Sequence, residues 1–244
     1  MGRNSSRNFR FKQFTVVDER SAMKVGTDGV LLGAWCGVRE ARRVLDVGTG
    51  CGVVALMVAQ RNSEAMIEAI DIDEAAVDEA RDNFMRSPWS DRLTANVLNF
   101  NSLVAHDEGG KQWDVVVCNP PFFNNGVLPP DASRRQARHA VTLTVEQLLT
   151  GTPRLLSPAG ALSLITPADN ADEVVSHAVR AGLVVQRRTL VSSVEGVPPC
   201  RVLWQFACGQ RQGAIVDDTL AIAAASGGYT ARYAALVGDF YLWG

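Results

Sequence analysis

The feature that most narrows the fold is a short apolar strand that runs into three closely spaced glycines and leaves them as a helix. Arg43-Val44-Leu45-Asp46-Val47 is followed by Gly48-Thr49-Gly50-Cys51-Gly52 and then by the apolar run from Val53 to Ala59. Glycines at such a junction let backbone N–H groups approach a ligand without interference from Cβ, and the helix N-terminus adds a field that favours anionic groups. A dinucleotide fingerprint, G-x-G-x-x-G, wants a glycine where Val53 stands, whereas Gly52 comes one residue early. A nicotinamide dinucleotide therefore loses ground. Taken alone the loop is also readable as a plain glycine turn, so its meaning depends on what surrounds it.

The surroundings alternate. Strands are expected at 43–47, 66–70, 93–98, 114–118, 160–165, 183–190 and 201–207, with helices at 29–35, 53–59, 74–85, 144–156 and 170–181. Strands alternating with helices predict an α/β fold with a mostly parallel seven-stranded sheet covered by helices on both faces. Phe9, Phe11 and Phe14 ahead of Thr15-Val16-Val17 predict a strand or hairpin before the main fold. Residues 1–35 are expected to form an N-terminal extension with that hairpin and a helix, and residues 36–244 the main domain. Tyr229 to Trp243 carries apolar residues near helical spacing and reads as a packed final helix. The stretch from Phe123 to Ala140 has no periodicity and reads as a long loop.

Two carboxylates give the glycine loop a ligand. Asp46 stands two residues before Gly48, where it can meet a cationic group, and Asp71 ends the next strand, where it can accept from ribose hydroxyls. A nucleoside that carries an amino acid satisfies both, and S-adenosylmethionine has those parts. Asn119-Pro120-Pro121-Phe122 then ends the fourth of the main strands. A ring amino nitrogen is a poor nucleophile because its lone pair is delocalised. The Asn119 side-chain oxygen and the Pro120 carbonyl can accept its two N–H bonds and aim that lone pair, while Phe122 offers a stacking face for an unpaired base. On its own, N-P-P-F is equally a stiff turn with an aromatic behind it. Together with the glycine loop and Asp71 it predicts methyl transfer to an amino nitrogen, by orientation and charge stabilisation, with neither a metal nor a covalent enzyme intermediate.

Composition bounds the remaining classes. In 244 residues, 47% are hydrophobic and 20% charged, which suits one large domain rather than two. No apolar run is long enough to cross a membrane and the basic, polar start lacks a secretion core, so a cytoplasmic protein without a membrane partner is expected. Cys36, Cys51, Cys118, Cys200 and Cys208 are scattered and never in a C-x-x-C pair, which predicts reduced thiols. The net charge of −2 is unevenly spread. Arginines and lysines gather at Arg3 to Lys12, at Arg134, Arg135 and Arg138, and at Arg180, Arg187, Arg188 and Arg201, so either a basic face or separate solvated faces would follow. His106, His139 and His177 need no catalytic role.

With these residues in place the chain resembles a class I, Rossmann-like methyltransferase, and more closely the bacterial tRNA(Val) adenine-37 N6-methyltransferase family. The resemblance runs over nearly the whole chain, through Phe9 to Phe14, Met23-Lys24-Val25-Gly26-Thr27-Asp28-Gly29, Leu31 to Trp35, Leu45 to Gly52, Ser87-Pro88-Trp89, Asn119 to Phe122, Gln136-Ala137-Arg138, Arg201-Val202-Leu203 and Phe240-Tyr241-Leu242. It implies a cofactor, S-adenosylmethionine, released as S-adenosylhomocysteine, with tRNA as partner; the oligomeric state stays open, with a monomer slightly favoured. It implies that Lys24, Thr27 and Asp28 lie beside the methionine portion, that Asp46, Gly48, Thr49, Gly50 and Gly52 cradle it, that Asp71 holds the ribose, and that Asn99 and Asn119 complete the cofactor site. Asn119, Pro120 and Phe122 would carry the chemistry. Pro121, Phe123, Arg10, Lys12, Arg134, Arg135 and Arg138 would contact the RNA. Two positions depart from the family: Phe122 stands where tyrosine is usual, as in similar enzymes that methylate guanine N2, and Asn99 replaces an aspartate. An rRNA guanine-N2 methyltransferase, a protein glutamine N5-methyltransferase and a non-catalytic RNA-binding module are the competing readings. The first has relatives that resemble a duplicated domain, and the second carries an N-terminal helical domain with no counterpart here.

Overall fold

The computed structural model describes residues 8–107, 112–120, 143–209 and 214–243. The chain opens with an antiparallel hairpin, β1 (Asn8–Arg10) and β2 (Thr15–Val17), closed by a Phe11 N–H to Phe14 carbonyl bond of 2.9 Å. Phe11 and Phe14 are buried, stack on each other, and anchor the hairpin against Tyr241 and Trp89. Helix α1 (Thr27–Trp35) follows, and from its third residue onward it is buried throughout, which is why it shows no amphipathic stripe.

The main sheet then begins. In chain order it comprises β3 (Arg43–Val47), α2 (Val53–Arg61), β4 (Met66–Asp71), α3 (Glu74–Met85), β5 (Leu93–Val97), α4 (Phe100–His106), β6 (Trp113–Cys118), α5 (Val145–Leu155), β7 (Leu156–Pro167), α6 (Ala171–Arg180), β8 (Leu183–Val194), β9 (Arg201–Cys208), β10 (Val216–Ala223) and α7 (Ala231–Val237). Across the sheet the strands lie in the order β10-β8-β9-β7-β6-β3-β4-β5. All neighbours are parallel except β9, which runs against both β7 and β8. One apolar core fills the face covered by α1, α2 and α3, and a second, built on Leu45, Trp113, Leu162, Trp204 and Phe206, lies across the sheet under α5 and α6. Strands covered on both faces need mostly apolar sequence, which Val44, Leu45 and Val47 supply in β3 and Val115 to Cys118 in β6.

All seven expected strands are present, and β10 is an eighth. Its sequence, with Asp217 and Asp218 at the start, reads as polar loop until its partner is known: Asp217 sits opposite Arg188 of β8 in register and their side chains form an ion pair. Helix α4 is a further element that periodicity missed. The last helix is shorter than expected, because Tyr229 bridges back to Ala223 before α7 begins and the chain turns after Val237. The third group of arginines does not make a free basic face. Arg188 pairs with Asp217, Arg201 with Asp28, and Arg187 lies over the Trp35 ring at 4.1 Å. All five cysteines are free thiols. Among the described residues no helix is long and apolar enough to cross a membrane.

Candidate active site

The chain order in the sheet reverses at β3: β4 and β5 lie to one side, β6 and its successors to the other. Loops leaving two neighbouring strands in opposite directions open a crevice beyond their C-terminal ends. Here the crevice is a cavity of about 530 Å³, lined by residues from Ala22–Gly29, the loops after β3, β4 and β5, Asn119 after β6, and Arg201 at the start of β9. Its size falls within the range of small-molecule sites.

The floor is the glycine loop. Gly48 and Gly50 adopt φ of +70° and +55°, a region that a side chain disfavours. The Gly48 and Thr49 N–H groups are held by the Ile70 carbonyl at 2.9 and 3.1 Å, and the Gly50 N–H donates to Asp71 Oδ2 at 3.0 Å. Asp71 Oδ1 accepts from the Asp73 N–H at 3.0 Å, so the carboxylate that ends β4 is fixed in orientation while still lining the cavity. Gly52 does not line it. This residue, at φ +83°, sits under the loop, where a Cβ would come within 2.5 Å of the Phe84 ring on α3. It is a packing glycine that lets α2 start against α3.

Asp46 is 1% exposed and lines the cavity. Burial pushes its carboxyl up to about 7, despite hydrogen bonds from the Thr49 hydroxyl, at 2.7 Å, and from the Ala55 N–H; the nearby charge of Asp71 adds to the rise. A buried carboxylate with this cost is relieved by a cation beside it. Opposite, Asn119 lines the cavity, and its Oδ1 is buried with no hydrogen-bond partner among the described residues. An unsatisfied buried carbonyl costs about 1–3 kcal/mol, so this oxygen is poised for an N–H donor. Its amide nitrogen lies 3.8 Å from the point a Gly29 Cβ would occupy, so α1 passes close beside the end of β6.

The wall from 18 to 25 is braced by two opposite charges. Glu79 Oε1 accepts from the Glu19 and Arg20 N–H groups at 2.6 and 2.7 Å, and Oε2 from Ser21 N–H at 2.9 Å. Burial alone would raise this carboxyl, but those donors outweigh it and hold it below the usual range. Lys24 Nζ answers from the other side, donating to the carbonyls of Asp18, Glu19 and Ser21. The Lys24 side chain therefore lines the cavity with its ammonium turned to the backbone. Asp28, in the first turn of α1, accepts from Arg201 Nε at 2.9 Å, and Arg201 Nη1 donates to the Cys200 carbonyl. Thr27 and Asn99 also line the cavity; the Asn99 side-chain oxygen caps α4 by accepting from Asn101 N–H at 2.8 Å.

Most of the expected cofactor residues thus converge: Lys24, Thr27, Asp28, Asp46, Gly48, Thr49, Gly50, Asp71, Asn99 and Asn119 share one cavity. Pro120 is buried beside it in sequence. Arg10 and Lys12 lie elsewhere, exposed on and after the first strand of the hairpin. Pro121, Phe122, Phe123, Arg134, Arg135, Arg138 and His139 lie outside the described residues. Sequence reading missed Glu79 and did not place Arg201 in the site. Glu79 carried a signal, since it shares the buried stripe of α3 with Ala76, Ala80 and Asn83, where a charge needs partners.

Comparison with known proteins shows the family and the fold. The family model of the methyltransferase small domain matches residues 21–181. The chain is 41% identical to a tRNA1(Val) (adenine(37)-N6)-methyltransferase of Serratia proteamaculans, over 96% of this chain and 90% of that one. It is 43% identical to the protein of that name from Aeromonas salmonicida, over 99% of both chains. Among solved structures, a predicted O-methyltransferase from Agrobacterium tumefaciens superposes with a TM-score of 0.66 at 19% identity, over 87% of this chain and 96% of that one. A putative RNA methyltransferase from Pyrococcus horikoshii gives 0.53 at 15% identity, over 75% and 82%. Both superpositions speak to fold.

Proposed function

Because the chain belongs to the methyltransferase small domain family, and within nearly its full length to the tRNA1(Val) (adenine(37)-N6)-methyltransferases, we propose that it methylates N6 of adenine 37 in a tRNA(Val), using S-adenosylmethionine. The observation that carries the reading is the buried Asn119 Oδ1, without a partner among the described residues, at the wall of a cavity whose other groups suit that cofactor. Asp46, Asp71 and the Gly48–Gly50 backbone line that cavity, which supports Asp46 as the partner of the ammonium, Asp71 as the acceptor from ribose hydroxyls and the glycines as the room for the chain between them.

S-adenosylmethionine supplies an electrophilic methyl group when bound. The work of this chain is to make an adenine amino nitrogen able to meet it. Asn119 Oδ1 accepts one N–H of that amine and the Pro120 carbonyl accepts the other, which draws the nitrogen out of conjugation and directs its lone pair. The same acceptors would stabilise the positive charge that develops as the N–C bond forms and the sulfur–methyl bond breaks, after which one N–H proton is lost to water. Phe122 supplies a stacking face for the extruded base. The enzyme acts on tRNA in the cytoplasm.

Purified protein given unmodified tRNA and labelled S-adenosylmethionine, followed by nucleoside mass spectrometry, tests this. N6-methyladenosine that disappears in Asn119→Ala, with S-adenosylhomocysteine affinity retained, is the expected result. Undiminished turnover in Asn119→Ala refutes the mechanism, and N2-methylguanosine as product refutes the substrate.

A further inference from the structure

Outside the cavity, the most unusual surface is aromatic. Tyr229 and Trp243 are 53% and 37% exposed, although together they could bury a large apolar area. They stack on each other with ring centroids 4.5 Å apart and planes at 20°. Tyr241 continues the row at 5.2 Å from Trp243, and Phe9 follows at 5.9 Å from Tyr241. The row ends on the hairpin, where Arg10 and Lys12 are exposed. A Lys12 N–H to Phe240 carbonyl bond of 2.7 Å ties the hairpin to the tail. Lys12 Nζ also rests on the Gly238 carbonyl. Arg232 is not available to this surface, because it pairs with Asp218, and Glu195 is engaged with the Ala225 N–H.

The strand register places the row relative to the site. Arg201, which lines the cavity, pairs with Val191 of β8, and Val191 pairs with Leu220 of β10. Tyr229 bridges Ala223, three residues beyond Leu220 toward the same C-terminal edge of the sheet. At strand spacings of ~4.8 Å and rises of ~3.3 Å per residue, Tyr229 lies roughly 17 Å from Arg201. A few nucleotides of single-stranded RNA cover that distance.

We propose that the Tyr229–Trp243 stack is a platform on which unpaired nucleotides flanking the target adenine stack, with Arg10 and Lys12 on their phosphates. Exposed aromatic faces beside cations are what sequence-tolerant binding of single-stranded nucleic acid uses. The proposal rests on the tRNA reading above and adds a second contact region, built from the two ends of the chain rather than from the catalytic loops.

The test measures anisotropy of a labelled, unmodified tRNA(Val) transcript over a salt series, with S-adenosylhomocysteine calorimetry as the check on folding. Tyr229→Ala and Trp243→Ala should each weaken RNA binding about tenfold, equivalent to ~1.4 kcal/mol, and leave both the salt slope and cofactor affinity unchanged. Arg10→Ala should instead lower the salt slope by about one. Trp243→Phe should restore affinity and Trp243→Leu should not, since leucine covers the same surface without a π-face. Wild-type affinity in Trp243→Ala, or equal rescue by leucine and phenylalanine, overturns the platform while wild-type methylation of the transcript upholds the function. A wild-type protein that neither binds nor methylates the transcript overturns both.

Discussion

Replacing Asp46 by asparagine should make the ligand-free protein more stable at pH 8 and nearly abolish its cofactor affinity. The carboxyl is buried, and burial moves it from the ordinary 3.8 to about 7. Over that window the folded protein binds the proton more tightly than the unfolded chain does. Unfolding free energy therefore falls as pH rises from about 4 to about 7, by as much as ~4 kcal/mol if the whole displacement is realised. Asparagine keeps the shape and an acceptor for the Thr49 hydroxyl but never ionises. The variant and the wild type should thus have similar denaturation midpoints near pH 4, and the variant should gain progressively up to pH 8. Cofactor reverses the order: an ammonium beside the ionised Asp46 removes the cost of the buried charge, and losing one partner of such a pair costs about 2–5 kcal/mol, or at least 30-fold in affinity. Urea denaturation at fixed pH, with and without S-adenosylhomocysteine, reads both effects. Parallel pH–stability curves for the two proteins would show that Asp46 ionises without penalty and would refute the reasoning.

Other substitutions probe the walls of the site. Glu79→Gln removes a carboxylate that the fold holds below its usual range, so it should lose about 1–3 kcal/mol at neutral pH. Glu79 contributes stability above the ordinary carboxylate value and gives it up as pH falls through its lower folded value, so the variant should show a weaker acid transition in a pH melt. Gly52→Ala meets both a φ of +83° and the Phe84 ring at 2.5 Å, and should cost roughly 2–4 kcal/mol in chemical denaturation. Were Gly52 only a cofactor contact, stability would be unchanged. Arg201→Gln and Asp28→Asn should be non-additive in cofactor affinity by about 0.5–3 kcal/mol in a double-mutant cycle by calorimetry, while additive losses would mean that the pair does not act as a unit.

The parts of the site that were legible in sequence are those whose meaning is local. Val47-Gly48-Thr49-Gly50 is a strand end and a turn wherever it occurs, and Asp71 follows at the distance one helix and one strand impose. Lys24 was different. Its neighbours in sequence place it at the cavity, but what its ammonium touches depends on a turn that Glu79 fixes from nearly 60 residues away. The same holds for β10, where Asp217 belongs in a strand only because Arg188 stands opposite it. The overlong final helix is the converse error: Tyr229, Tyr233, Phe240 and Tyr241 fit a helical period, yet only Tyr233 among them is helical, and the others are drawn to β10, to the hairpin and to one another.

Strand β9 runs against its neighbours, so the chain enters it at the edge where they leave. The connection from Glu195 to Cys200 is exposed throughout and opens onto the rim beside Arg201. Its length bears on neither the glycine loop nor Asp71, which are set by parallel strands on the other side of the crevice. A lineage can therefore lengthen or reshape residues 195–199, and with them the rim of the cavity, while the glycine loop and Asp71 are inherited unchanged.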